Sequence, residues 1–126
     1  MRRFSICMLD SMTYENSIPN KVPEKGFYYH YKHDPSGEVN NYAYEFLNVG
    51  RHTEDDCRPE DALLAVYRPL YEAFVYRNGK MFDVRPLSMF MEEVTKDGKT
   101  FSRFACITDP ETIATLKEKR REMYGE

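Results

Sequence analysis

From Phe27 onward the chain alternates. FYYHYKH puts Phe27, Tyr29 and Tyr31 on one face and Tyr28, His30 and Lys32 on the other, the period of two that marks a strand. DPSGE then supplies turn chemistry, with Pro35 presetting φ and Gly37 free to take positive φ. YAYEFLNV reads as a second strand and the polar RHTEDDCRPED as a loop. ALLAVYR is apolar on both faces, as an interior strand would be. Two hairpins follow. EAFVYR and KMFDVR flank Asn78-Gly79, a type I′ signal, and FMEEVT and TFSRFACI flank Asp97-Gly98. Beyond Asp109 the period changes: Ile113, Leu116, Arg120 and Tyr124 recur at helical spacing. Asp109 stands at the N-cap, Pro110 at the first helical position and Gly125 at the C-cap. Ile113 and Leu116 are expected to dock that helix on the sheet.

This pattern predicts a mainly β fold. It is a small antiparallel SH3-like barrel or a strongly twisted sheet of five to six short strands, with one C-terminal α-helix. Residues 1–25 lack periodicity and read as an N-terminal arm. Residues 26–108 form the β-barrel domain, and 109–126 the helix packed on it.

Composition agrees and excludes little. The 126 residues hold ten Tyr and eight Phe but no Trp, a bias toward half-buried pleated surfaces. A net charge of −3 gives no general attraction to nucleic acid or anionic membrane. The basic terminal KEKRRE sits where a helix dipole favours cations anyway, so nucleic acid is not favoured as a partner. No stretch approaches a membrane span, and the apolar run near the start is shorter than a signal h-region, so a cytoplasmic protein is expected. Cys7, Cys57 and Cys106 are odd in number and widely spaced, which suits reduced thiols better than a disulfide framework.

Five stretches in order, GFYYHYK, LNVGRHTE, LLAVYRPLY, FDVRPLSMFMEEV and DGKTFSRF, resemble the small bacterial family catalogued as domain of unknown function 1653. The resemblance covers about residues 26–104 and implies no activity. The connections HDPSGEVNNYA and DDCRPEDA look long for that family.

No phosphate loop, HExxH, GxSxG or zinc spacing is present, and no cofactor or metal is expected. His30 and His33, on one strand at odd spacing, would face opposite sides, whereas His30 and His52 could meet. Glu54, Asp55, Asp56, Glu60 and Asp61 read as a solvated acidic loop. The candidate ligand-binding set is Arg85, Arg68, Tyr67, His30, Lys32 and His52, because Tyr and Arg together stack on rings and clamp anions. VYRPL (66–70) and DVRPL (83–87) are not a repeat. Each proline holds the arginine before it extended and ends a ladder, and Leu70 and Leu87 turn back to the core. The leading reading is a binding module for a small anionic or aromatic, nucleotide-like ligand or a partner protein. The alternatives are an enzyme on small nucleotide-like substrates, with His30 or His52 as base, and a homo-oligomer joined through exposed Tyr and Phe.

Overall fold

The computed structural model describes residues 8–10, 21–73 and 81–126. Its centre is a five-stranded antiparallel sheet. The strands are β3 (Gly26–His30), β4 (Ala43–Arg51), β5 (Leu63–Pro69), β6 (Asp83–Pro86) and β9 (Phe104–Cys106), in the order β6-β5-β4-β3-β9. Two ribbons flank it. One pairs β1 (Met8–Asp10) with β2 (Lys21–Pro23), and the other pairs β7 (Glu93–Lys96) with β8 (Lys99–Ser102). A 3-10 turn at Pro59–Asp61, a short helix α1 (Leu87–Met91) and a fifteen-residue helix α2 (Pro110–Tyr124) complete the described chain.

The sheet is open, so of the two expected architectures the barrel is not the one formed. Closure is one way to hide an apolar face, but here each face has its own cover. On the first face Tyr28, Phe46, Ala65, Tyr67 and Phe104 pack against Leu87 and Phe90 of α1. On the second, Phe27, Ala43, Leu70 and Ile107 pack against Leu116 of α2. Adjacent residues Phe27 and Tyr28 are therefore both buried, on opposite sides. A bulge between Phe46 and Asn48 resets the alternation, so Val49 returns to the face of Phe46.

Local signals explain most boundaries. β5 and β6 both end on proline, and Leu70 and Leu87 then turn inward and are buried. Asp97 and Gly98 take φ of 54° and 75°, closing β7–β8 as the type I′ geometry requires. Asp109 caps α2 by accepting from the Thr112 amide at 2.9 Å, and Gly125 ends it at φ 78°.

Three expectations need correction. The stretch around Phe90 is the end of α1 rather than strand, because Leu87 and Phe90 are three apart and both needed on the core. TFSRFACI is two strands. At Arg103 the backbone amide turns to the Glu92 carbonyl, 2.9 Å away, which frees β9 to pair with β3. Finally, Cys106 is disulfide-bonded, with its partner outside the described residues, while Cys57 is free. The Asn78-Gly79 hairpin also lies outside the described residues. What is described is that Asp83–Pro86 pairs with β5.

Candidate functional site

Strand register decides which side chains meet. Asp83 lies opposite Tyr67 and Arg85 opposite Ala65, Tyr44 opposite Tyr28, and Phe104 opposite His30. Cross-strand partners share a face, so all belong to the face capped by α1. Toward the His30 end that face changes from apolar to phenolic. Tyr44 lies edge-on to Tyr67, Tyr71 and Phe104, at 5.5–5.6 Å between centroids, and its hydroxyl meets that of Tyr71 at 2.5 Å. Tyr42, exposed at the lip, reaches Tyr71 at 5.6 Å and His30 at 5.8 Å. Its φ of 54° is uncommon for a bulky residue and marks a position worth a functional hypothesis.

The electrostatics of this shelf are lopsided. Burial and then the charges of Arg103, Lys32 and Arg85 hold the His30 imidazole down at about 4. It is neutral at pH 7, and Nδ1 accepts from the Lys32 amide at 3.2 Å. Burial pushes the Tyr67 phenol up to about 12, although the charge and hydrogen bond of Arg85 pull the other way. Burial also raises Asp83, again against Arg85, and lifts Tyr44 well above the ordinary phenol range. Arg103 is committed to Glu92 through Nε at 2.9 Å. Arg85 and Lys32 are exposed and make no ion pair among the described residues. The result is a wall of rings with hydroxyl and carboxyl groups, rimmed by Arg85, which acts on Tyr67 and Asp83, and by the exposed Lys32.

Of the six residues expected at one site, His30, Lys32, Tyr67 and Arg85 are brought to this face. Arg68 is not. It points to the α2 side, 3% exposed, with Nε 3.1 Å from Glu45 Oε1 and Nη2 2.8 Å from Glu126 Oε1. His52 follows the far end of β4, nine residues from the His30 end, or roughly 30 Å along a strand. The two histidines do not meet. His52 instead accepts from the Glu54 amide at Nδ1. β3 stops at His30, so His33 lies in the following turn, stacked 3.5 Å from Tyr29. No group of three potential metal ligands occurs among the described residues. In the acidic loop Asp61 pairs with Arg58 at 2.9 Å. Sequence reasoning missed Tyr42, Tyr44, Tyr71 and Asp83. The alternation of YAYEF could have placed Tyr44 beside Phe46, whereas nothing local marks Tyr71.

A family model described as protein of unknown function, DUF1653, matches residues 26–106. The chain belongs to the DUF1653 family. That match spans β3 to β9, so the phenolic shelf lies wholly within the DUF1653 segment, while α2 lies beyond it. No curated protein and no solved structure matches the chain. No helix among the described residues is long and apolar enough to cross a membrane.

Proposed function

We propose that this DUF1653 domain is a non-catalytic binding module whose phenolic face takes a small anionic, aromatic ligand of nucleotide-like chemistry. One observation carries the reading. Arg85 and Lys32, two exposed cations that act on His30 and form no ion pair among the described residues, stand beside a wall of Tyr42, Tyr44, Tyr67 and Tyr71. A flat ring packs on such a wall edge-on or offset, and an anionic tail reaches the guanidinium and ammonium. Asp83, with its raised pKa, offers a carboxyl group to an exocyclic amine. The enzymatic reading would take His30 or His52 as a base; His30, held near 4, is a weak one, and His52 stands away from the phenolic face at the far end of β4. A cytoplasmic location belongs to the same proposal. The Cys106 disulfide counts against it, because such bonds are rare in reducing compartments.

The test is calorimetric titration of the full chain with AMP, GMP, CMP and UMP and with the parent nucleosides. Monophosphates should bind, nucleosides at least about tenfold more weakly, which is about 1.4 kcal/mol. Arg85→Ala should abolish the difference while its far-ultraviolet dichroism stays that of the parent. Absence of binding by all four monophosphates, or binding indifferent to Arg85, would overturn the reading.

A further inference from the structure

On the opposite side of the sheet a cleft of about 480 Å³ opens between the start of β3, the exit of β9 and one flank of α2. Its volume lies in the range of small-molecule sites. The base is apolar, made by the buried rings and branches of Phe27 and Ile107 with half-buried Ile113 as a wall. The rim is cationic, with Lys25, Lys117 and Arg120. Glu45 sits at the inner edge, but its two oxygens are already taken. Arg68 reaches Oε1 at 3.1 Å and Arg120 reaches Oε2 at 2.7 Å. Glu24 is the other acid of the lining and has no ion pair among the described residues. The lining thus carries three cations and two carboxylates, and Arg68 behind the wall is shared between Glu45 and Glu126.

Arg120 is held in place rather than waving in solvent. Nη1 donates to Glu45, Nε donates to the Glu126 carbonyl at 3.0 Å, and the guanidinium lies 5.6 Å from the Phe27 ring. Nη2 has no partner among the described residues, which leaves a pre-positioned donor at the junction of apolar base and charged rim. Lys25 and Lys117 are exposed and outside every ion pair among the described residues. We infer that this cleft is a second binding site, for a small monocarboxylate with an apolar, ring-sized body. The body would lie on Phe27, Ile107 and Ile113, and the carboxylate would be held by Arg120 Nη2 with Lys117 and Lys25. Burial of the body supplies the nonpolar contribution, and the charge-assisted bonds select acid over amide. Because Ile113, Lys117 and Arg120 come from α2, beyond the segment matched by the family, the site belongs to this chain's own helix. It is independent of the phenolic face.

Titration of the full chain with phenylacetate, 4-methylpentanoate and phenylacetamide, followed calorimetrically and by unfolding temperature, tests this. At least one acid should bind and raise the unfolding temperature, with the amide at least about tenfold weaker. Lys117→Glu and Lys25→Glu should each weaken the acid about tenfold without altering the dichroism spectrum. Arg85→Ala should leave it unchanged. No binding by either acid at millimolar concentration, equal binding of the amide, or indifference to both lysine variants would overturn the inference. So would loss of binding in Arg85→Ala, which would put the acid on the other face.

Discussion

The two faces of the sheet each receive an arginine from an Arg-Pro-Leu strand exit, and they use it in opposite ways. Arg68 neighbours Tyr67 on β5 and so points away from it, under α2. There Glu45, Glu126 and the Tyr124 ring, 4.1 Å from its guanidinium carbon, enclose it. Arg85 lies across from Ala65 on β6, shares the Tyr67 face and stays exposed. In both cases the proline restricts the arginine before it to extended backbone at the end of a strand. What differs is cover. A fifteen-residue helix closes over Arg68, whereas the five-residue α1 reaches only the apolar half of the other face. A shared motif therefore specifies where an arginine leaves the ladder, while the third-dimension neighbour decides whether it braces the fold or stays exposed.

The widest separation between the faces should come from paired truncations. Arg68→Ala strands the buried Glu45 with Arg120 alone and removes the packing on Tyr124, so unfolding in urea should show a loss of roughly 3–5 kcal/mol. Arg85→Ala leaves no buried charge behind and should stay within about 0.5 kcal/mol of the parent. Equal losses would erase the distinction drawn between the two arginines. A smaller effect is expected within the phenolic face itself. Tyr44→Phe leaves the half-buried Tyr71 hydroxyl without its partner and should cost about 1 kcal/mol by the same measurement. A neutral result would mean that water replaces the bond without loss, making the hydroxyl pair a ligand-facing feature only.

Much of this contrast was written locally and part was not. The strands at Gly26–His30 and Ala43–Arg51 follow from alternation, Leu63–Pro69 from an apolar run ended by proline, and α2 from its cap, period and glycine stop. The inward turns of Leu70 and Leu87 follow from the prolines. Register is another matter. Which strand β6 joins, and hence which face Arg85 shares, depends on partners far apart in the chain. A single slip would have moved every side chain across. The helical turn of α1 was masked because five residues carry too little period to outweigh the strand-like EEV that follows. The ion-paired fate of Arg68 depends on Glu45 and Glu126, 23 and 58 positions away, and no window on the sequence contains all three.

The subtlest difference between the faces is in how they answer acid. His30 has an ordinary value of 6.5 and is held at about 4 in the fold. Above pH 6.5 it is neutral folded or unfolded and contributes no slope. Between 6.5 and about 4 the unfolded chain takes up a proton that the fold refuses, so stability falls as the pH falls, and the fall levels off below the folded value. Asp83, raised by burial, works the other way at the bottom of that window, since the fold keeps a proton that the unfolded chain has shed. Under α2, Glu126, lowered by its hydrogen bond and charge contact with Arg68 from an ordinary value of 4.5, contributes stability above that value and loses it as the pH falls from there through its folded one. His30→Gln should therefore flatten the urea midpoint between pH 6.5 and 4 and leave the steeper acid limb below it in place. Because the imidazole is only half-buried, water screens the effect and the change in slope should be small. A parent protein already flat across that interval would mean that neither burial nor the charges of Arg103, Lys32 and Arg85 hold His30 down.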